Sequence, residues 1–385
     1  MSGQMLLRTS FGPAWVVASS RDIDPELRRR AFASQSKDFR FYEVAEQSLH
    51  SQFDHRYFVL ENEADRSVAI QPFFFVDQDV TAGLPATFRA WLVTPLRRLW
   101  PGFLNLRMLT VGCSAAEGHL DSSLPWAVQA LHETIEAYVR REKTSIILLK
   151  DFPAQYREPL QTFSQDGYRR VPSLPGASLD LDFGSFEEYM QSRLSKVYRK
   201  NLRRKFKALR HAAPVTMEVV SDATPWIEEL YALHRQTFAR SHYQFEKLTR
   251  EYFCLIGQAM PERSRFFLWR QNGRLIAFSL CLLHDDTLHD LGVGLDYSVA
   301  LDLHMYFVTW RDVIEWGLKN GVKSYRTGPL NYDPKLHLRL DLTPQDLYAR
   351  HASRWLNPLF KFALRYLQPV RHDKTLRQFR NAHEL

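Results

Sequence analysis

The sequence has little of what defines several large classes of protein. Its three cysteines, Cys113, Cys254 and Cys281, are widely separated, so we expect neither a disulfide framework nor a cysteine-based zinc site. The longest apolar run, Leu275 to Leu283, has nine residues, about half of the ~18 that span a bilayer. Glycine and proline number only 16 and 19, so we do not expect a collagen-like or linker architecture. The first 20 residues do not resemble a signal peptide. We therefore expect a cytoplasmic globular protein.

Several catalytic motifs are also missing. The chain has no Gly-x-x-x-x-Gly-Lys-Ser/Thr loop and no Gly-x-Ser-x-Gly elbow, and Gly292-x-Gly294 has no third glycine. His132-Glu133 is not followed by a second histidine at zincin spacing. These absences argue against kinases, Rossmann dehydrogenases, serine hydrolases and metalloproteases, and we predict no metal site.

What the chain does have is apolar surface and unevenly placed positive charge. Hydrophobic residues make up 45% of the 385 and aromatics 13%, which is enough to bury large cores. The net charge is +8, yet residues 193–210 hold nine Lys or Arg and no acid, and residues 350–380 hold eight and one acid. The positive charge is local, which predicts one or two anion-facing surfaces.

Two parts of the chain share one order of elements. Residues 264–325 read as strand, strand, strand, helix, strand, with a hairpin signal at Asn272-Gly273 and a helix over 303–318 that Asp302 is expected to cap. The N-terminal half repeats this order, with a helix over 124–141 that buries Leu131, Ile135 and Tyr138. We infer an internal duplication of elements.

The predicted organisation has four segments. Residues 1–184 form an N-terminal half with an aromatic-basic insertion near 79–105. One long basic helix fills 185–213, ending near residue 211 with Pro214 after it. Residues 214–350 form a second half that carries the active cleft, and 351–385 form a basic amphipathic extension. The fold class is α/β, with mixed sheets.

Several motifs in the second half resemble the FemAB-like and BioF2-like acyltransferases, which are tandem repeats of the GCN5-related N-acetyltransferase (GNAT) fold. The motifs are Ser195-Lys196-x-x-Arg199-x-Asn201-Leu202-Arg203-Arg204, Gly294-Leu295-Asp296-Tyr297, Leu303-His304-x-Tyr306, Glu315-x-Gly317-x-x-x-Gly321, Tyr325-Arg326-x-Gly328 and Lys335. The resemblance covers about 160–350. It implies two tandem GNAT-like halves joined by the basic helix.

The resemblance also implies transfer of an acyl or aminoacyl group to an amine. The donor would be acyl-coenzyme A or aminoacyl-tRNA, taken as a substrate, with no permanently bound cofactor. The stretch Tyr297 to Asp302 stands where single-domain acetyltransferases have a glycine-containing pyrophosphate loop, and it holds no glycine. This departure leaves a tRNA-borne donor open beside a thioester.

Four residues are our catalytic candidates. By resemblance, Lys335 in a loop after the last strand holds a phosphate or the developing oxyanion, and Asp296 lies at the cleft mouth. His304 is a candidate base, and Tyr332 a candidate proton donor to the leaving group. Against these stand a solvated loop lysine and packing roles for the others. Of His289 and Asp290, mid-strand, one faces the cleft by alternation.

The basic helix is predicted to bind phosphates through Lys196, Arg199, Lys200 and Arg203, the alternative being a solvated face. Two aromatic-basic stretches, Phe88 to Phe103 and Trp355 to Arg365, are candidates for membrane contact or for internal packing. Membrane contact by either stretch would place the protein at the inner membrane face.

We predict an N-acyltransferase that moves an acyl group from acyl-coenzyme A to an amine of a small molecule or lipid-linked precursor. One alternative is an aminoacyl-tRNA-dependent FemAB-type transferase. The other is a non-catalytic nucleic-acid-binding or membrane-binding protein on a GNAT scaffold.

Overall fold

The chain folds into two compact units built from interleaved segments. The computed structural model describes residues 5–79, 105–241, 245–366, 368, 370 and 373–385. Unit 1 is drawn from residues 1–32, 50–173 and 345–371, and unit 2 from 33–49, 174–344 and 372–385. The mixed α/β class predicted from the sequence is confirmed.

The described elements alternate between strands and helices along the chain. The strands are β1 Met5–Arg8, β2 Pro13–Val17, β3 Asp54–Asn62, β4 Ser67–Asp79, β5 Asn105–Val111, β6 Ile146–Pro153, β7 Arg169–Pro172, β8 Gly176–Asp180, β9 Val215–Val220, β10 Ser264–Gln271, β11 Arg274–His284, β12 Thr287–Leu295, β13 Ser324–Thr327, β14 Asp341–Thr343 and β15 Gln345–His351. The helices are α1 Pro25–Arg30, α2 Phe39–Leu49, α3 Pro125–Val139, α4 Gln161–Gln165, α5 Phe186–Arg193, α6 Lys196–Arg210, α7 Ile227–Arg240, α8 Arg250–Ala259, α9 Met305–Lys319, α10 Tyr332–His337 and α11 Asn357–Leu364. Short 3₁₀ turns lie at Ser20–Asp22, Ala154–Tyr156, Thr224–Trp226, Leu376–Gln378 and Ala382–Glu384.

Unit 1 contains an eight-stranded sheet in the order β1-β2-β3-β4-β5-β6-β15-β7. Only β5 and β6 run parallel among its described pairs, and α3 makes the crossover between them. The predicted apolar face of α3 is confirmed, because Leu131, Ile135 and Tyr138 are all buried in the core of this unit.

Unit 2 contains a seven-stranded sheet in the order β14-β8-β13-β12-β11-β10-β9. Here β12 and β13 are the parallel pair, and α9 makes the crossover. The predicted hairpin turn is confirmed, since Asn272 and Gly273 both have positive φ, at 50° and 78°, as a two-residue primed turn requires. The order strand, strand, strand, helix, strand therefore occurs in both units, as the duplication predicted.

The predicted single helix over 185–211 is two helices. Leu194 is extended, with ψ of 146°, and Ser195 starts α6 by accepting a hydrogen bond from the Tyr198 N–H. Val197, in the first turn of α6, is 81% exposed. A serine followed by a helical run is a start signal that competes with continuation.

Two further expectations concern the rest of the chain. The aromatic-basic insertion falls on residues 80–104, which lie outside the described residues. No described helix is both long enough and apolar enough to cross a membrane.

Candidate functional site

In unit 2 the pairing of the parallel strands β12 and β13 ends partway along β12, and we call this point the separation of the two strands. Their pairing covers Thr287 to Asp290 on β12, and β12 then continues to Leu295 beside β11. Cys281 faces Asp290 and Leu280 faces Gly292, so Leu291 is the extra residue of a β-bulge. Bulges re-aim side chains and end pairing, often beside active sites. Gly292 is exposed, and a methyl group there would meet nothing within 4 Å.

Asp290 is the centre of a polar cluster at this separation. Its carboxylate accepts hydrogen bonds from the Tyr325 hydroxyl at 2.6 Å, the Gly292 N–H at 3.1 Å and the Ser279 hydroxyl at 3.4 Å. Tyr325 comes from β13 and Ser279 from β11, so three neighbouring strands converge on one carboxylate. Of His289 and Asp290, which the alternation left open, Asp290 is the one in this cluster.

Lys335 lies beside the cluster on α10. The sequence placed it in a loop, with a solvated lysine as the alternative. The structure corrects that expectation, because the residue is helical and only 5% exposed. Its ammonium group donates to the Gly328 carbonyl, just after β13, at 2.6 Å.

Burial shifts the pKa values of these groups in opposite directions. It lowers the pKa of Lys335 to about 8, although the Asp290 charge opposes the change. It raises the pKa of the Asp290 carboxyl, against the Tyr325 hydrogen bond and the Lys335 charge. Burial and the Asp290 charge together raise the pKa of Tyr325 far above its usual value. An ammonium and a carboxyl that both exchange protons closer to neutrality than usual are a common mark of a catalytic site.

Cys281 and Tyr306 complete the surroundings of Asp290. Burial raises the pKa of the Cys281 thiol well above its usual value, with Asp290 adding to the effect. The thiol therefore stays protonated and is not an activated nucleophile. Burial and the Asp290 charge likewise raise the pKa of Tyr306.

Two predicted catalytic residues are engaged in contacts that hold the fold. Asp296 is 1% exposed, forms an ion pair with Arg274 and accepts from the Ser298 N–H at 3.0 Å and hydroxyl at 2.7 Å. The Tyr332 hydroxyl donates to the Pro175 carbonyl at 2.8 Å, although its ring lies 5.7 Å from the Lys335 ammonium. These contacts favour structural roles for both side chains.

His304 occupies the start of α9. It is the N-cap residue, in the left-handed conformation with φ of 51°, and its side chain makes no capping hydrogen bond. The expectation that Asp302 caps this helix is therefore wrong; the chain makes a further turn after Asp302 before the helix begins. Burial and the charges of Lys205 and Arg204 on α6 lower the pKa of His304, which keeps its imidazole neutral near pH 7.

The four predicted phosphate ligands divide into two pairs. Arg199 donates to the carbonyls of Gln191 and Leu194, each at 2.9 Å, and so closes the C-terminal end of α5. Arg203 forms an ion pair with Glu187. Lys196 and Lys200 are exposed, and neither has an acidic partner in the described part of the chain. Arg204 and Lys205, next in sequence, are the α6 cations whose charges reach the start of α9.

His234 and a cavity beside it escaped the sequence analysis. The cavity is about 210 Å³, and its lining includes Phe238, Phe253, Phe278, Leu291 and Gly292 as well as His234. Burial lowers the pKa of His234 to about 4, and its shielded Nε2 has no hydrogen-bond partner among the described residues. The helical pattern of α7 gave no sign of this, because only the fold brings α7 over β12.

One cluster of possible metal ligands occurs among the described residues. The side chains of His132, Glu136 and Asp166 in unit 1 offer ligand atoms within 4.8 Å of one another. The Arg350 guanidinium already lies 2.6 Å from the Glu136 carboxylate. We assign no metal to this cluster, since a divalent cation would have to compete with that charge.

One comparison with known proteins concerns the stretch from Lys196 to Lys335. Residues 196–335 match the model of the acetyltransferase (GNAT) domain. The chain is 22% identical over 275 residues to the "Putative 8-amino-7-oxononanoate synthase 2" of Mycobacterium tuberculosis, a match that covers 69% of this chain and 35% of that protein. The chain thus spans about a third of the length of the curated relatives that it matches.

Two solved structures share the fold across both units. The structure of L-PGS from Bacillus licheniformis superimposes with a TM-score of 0.53 at 12% identity, covering 90% of this chain and 96% of that one. FemX superimposes with a TM-score of 0.53 at 12% identity, covering 84% and 93%. At this identity the likeness shows the fold alone.

Proposed function

We propose that this chain, whose residues 196–335 match the model of the acetyltransferase (GNAT) domain, is an N-acyltransferase that moves an acyl group from acyl-coenzyme A to an amine. The observation that carries the proposal is the Asp290, Tyr325 and Lys335 cluster, placed where β12 and β13 separate. The separation leaves room for a ligand at Gly292, and the cluster supplies proton-transferring groups next to that room.

Acyl transfer to an amine needs a neutral amine, a stabilised oxyanion and a protonated or neutralised leaving group. We assign removal of the amine proton to the Asp290 carboxylate, because its raised pKa makes it a stronger base than an exposed aspartate. As the C–N bond forms and the C–S bond breaks, the same group returns the proton to the departing coenzyme A thiolate. We assign stabilisation of negative charge to the Lys335 ammonium, assisted by the backbone N–H of the bulge residue Leu291. Tyr325 holds the Asp290 carboxylate in place through its hydroxyl.

The acyl group has a matching pocket in this assignment. The cavity of about 210 Å³ is lined largely by aromatic and aliphatic side chains and reaches β12 at Leu291 and Gly292. An apolar acyl chain entering it would gain roughly 0.8 kcal/mol for each methylene buried.

The donor phosphates are assigned to the start of α9. The positive end of the helix dipole at this terminus attracts anions, and Arg204 and Lys205 approach it from α6. The Lys205 ammonium lies 3.7 Å from the centre of the Phe307 ring, which fixes it over the first turn of α9. Backbone and cations here take the place of the missing glycine loop.

The proposal is tested by titrating the full chain calorimetrically with acetyl-, octanoyl- and palmitoyl-coenzyme A and then assaying transfer to an amine. We expect affinity to rise about fourfold per methylene until the cavity is full, and then to level off. Lys335→Ala should lower the transfer rate by about 100-fold or more. Lys319→Ala, an exposed lysine of α9, is the matched control and should behave as wild type.

The second candidate is an aminoacyl-tRNA donor, favoured by the exposed Lys196 and Lys200 of α6. If no thioester binds, binding of a charged tRNA with a steep, linear dependence of log affinity on log salt would support it. If uncharged RNA binds with the same dependence of log affinity on log salt, and no group is transferred to any amine, the protein is instead a non-catalytic nucleic-acid-binding scaffold.

A further inference from the structure

Unit 1 carries a second cationic surface, separate from the residues of the candidate active site. A cavity of about 640 Å³ lies between α11, the end of β15 and the turn after α4. Its lining includes five cationic residues and one acid: Arg169, Arg350, Arg354, Lys361, Arg365 and Asp166. Such an excess of positive charge in a concave site suits an anionic ligand.

The hydrogen bonding of this cavity is incomplete. Asp166 lies 2.9 Å from His132, and Arg350 lies 2.6 Å from Glu136, so both acids already have a partner. The Nε–H groups of Arg350 and Arg169 are shielded from solvent and have no acceptor among the described residues, and Arg350 is only 9% exposed. Buried donors without acceptors are uncommon. The exposed guanidinium groups of Arg354 and Arg365, rather than these shielded nitrogens, are open to a phosphate that enters the cavity.

Beside the cavity, α11 and its flanks present apolar side chains to solvent. Trp355 is 93% exposed, Leu359 68%, Phe362 54% and Tyr366 60%. Leu359 and Phe362 lie three residues apart on α11 and so share a helical face, and Trp355 and Tyr366 lie in the turns on either side of the helix. Of the ten exposed large hydrophobic residues in the described part of the chain, five lie between Trp355 and Tyr366, Leu356 being the fifth. Clusters of this kind mark interaction sites.

The face of α11 opposite these exposed side chains packs against unit 1 and fixes the orientation of the helix. The Asn357 side chain donates to the Gly167 carbonyl at 3.0 Å and accepts from the His351 N–H at 3.1 Å. The Phe360 ring packs 6.1 Å from the His351 ring. The helix is therefore anchored to β15 by one face, and its apolar face points away from the fold.

We propose that the α11 surface docks unit 1 on an anionic lipid bilayer. Trp355, Leu359 and Phe362 enter the interfacial region, and a lipid phosphate occupies the cationic cavity. Aromatic and aliphatic side chains flanked by Lys and Arg are the combination that interfacial helices use. A nucleic acid would satisfy the cations but would leave the aliphatic Leu356 and Leu359 in water, so the bilayer fits the whole surface better.

The test is co-sedimentation of the full chain with two kinds of vesicle. One kind holds phosphatidylglycerol and phosphatidylcholine in equal parts, and the other phosphatidylcholine alone. We expect binding to the first and at least about tenfold weaker binding to the second. Replacing Trp355 and Leu359 together by Ala should weaken binding by about tenfold or more. Leu124→Ala, which removes another exposed leucine of unit 1, is the matched control.

A charge series tests the cavity. Lys361→Gln and Arg365→Gln should each weaken binding about fivefold and reduce its dependence on salt, whereas Lys143→Gln, an exposed lysine elsewhere in unit 1, should not. Unchanged thermal unfolding would show that all variants are folded. Failure to bind the anionic vesicles overturns the proposal, as does equal binding by the Trp355/Leu359 variant. Saturable binding of inorganic phosphate or of RNA without vesicle binding would assign the cavity to a soluble anion instead.

Discussion

Two aspartates six residues apart, Asp290 on β12 and Asp296 just after it, show how position decides the role of a side chain. Asp296 lies just past the end of β12 and is fully engaged by Arg274 and the turn at Ser298. Asp290 lies where the parallel pairing stops, and burial raises the pKa of its carboxyl. The first carboxylate holds a turn, and the second remains able to exchange a proton next to open space.

The alkaline limb of the pH–rate profile should report Lys335. Its pKa is about 8, so the ammonium is lost above that pH and the transfer rate should fall about tenfold per pH unit. Lys335→Arg keeps its charge, and its rate, although lower, should stay flat to about pH 10. The measurement needs an acceptor amine of low pKa, so that the acceptor is neutral throughout.

The same lysine makes an opposite prediction for stability. The unfolded chain binds this proton up to a pKa of about 10.4, whereas the folded chain releases it near 8. Between these values the unfolded state holds more protons, so this residue makes the protein more stable as pH rises. In the pH–rate profile, by contrast, an alkaline loss of rate that Lys335→Arg shares equally would show that a group other than Lys335 titrates.

At the scale of elements, the break between α5 and α6 changes the meaning of a predicted motif. Arg199 was predicted to bind phosphate, yet its guanidinium binds carbonyls at the end of α5. Lys200, its neighbour, is exposed. The motif places a cation at both Arg199 and Lys200. Because the chain breaks at Leu194, Arg199 lies against the end of α5 and Lys200 faces solvent.

Comparing Arg199→Ala with Lys200→Ala separates the two roles. We expect Arg199→Ala to lower the free energy of unfolding by about 1–3 kcal/mol, because it leaves helix-end carbonyls without a donor. Lys200→Ala should stay within about 0.5 kcal/mol of wild type. Urea denaturation measures both. Unchanged stability of Arg199→Ala together with weaker donor binding would restore the phosphate role.

Strand β12 offers a second matched pair in its two glycines. A methyl group on Gly294 would clash with the Phe278 ring, whereas one on Gly292 would meet nothing within 4 Å. Gly294→Ala should therefore destabilise the protein by about 1–3 kcal/mol. Gly292→Ala should leave the free energy of unfolding nearly unchanged and weaken donor binding, since the methyl group occupies the gap. Urea denaturation and calorimetry with acyl-coenzyme A distinguish these outcomes, and equal stability losses would contradict the open gap.

For the whole molecule, each unit is built from three separate segments of the chain. A continuous fragment that holds the whole of one unit therefore also holds segments of the other. The chain passes between the two units five times. Strand β15, near the C-terminus, lies between β6 and β7 in the sheet of unit 1. Its Asp346 is 1% exposed and binds Arg157 and Arg170, each at 2.6 Å. The predicted boundaries, by contrast, divided the sequence into consecutive segments.

A fragment of residues 1–184 should consequently fail to fold. It lacks β15, so β6 and β7 lose their shared neighbour, and Arg157 and Arg170 lose their buried carboxylate. We expect no cooperative thermal unfolding and poor dispersion of amide signals in NMR spectra of the fragment. Adding residues 345–371 through a flexible linker should restore a cooperative transition. A fragment 1–184 that unfolds cooperatively by itself would show that β15 is dispensable.

The sequence by itself determined the classes of element and their repeated order. Hydrophobic periodicity and turn residues act over a few positions, so the apolar face of α3 and the Asn272-Gly273 turn could be predicted locally. The Lys335 position also followed from a motif. The tertiary structure alone decided that Lys335 is buried, that Asp290 meets Tyr325 across 35 residues, that His234 overlies β12 and that β15 completes the first sheet. Each of these depends on strand pairing or packing between distant segments, and the local sequence pattern of a segment does not specify which distant segment it will contact.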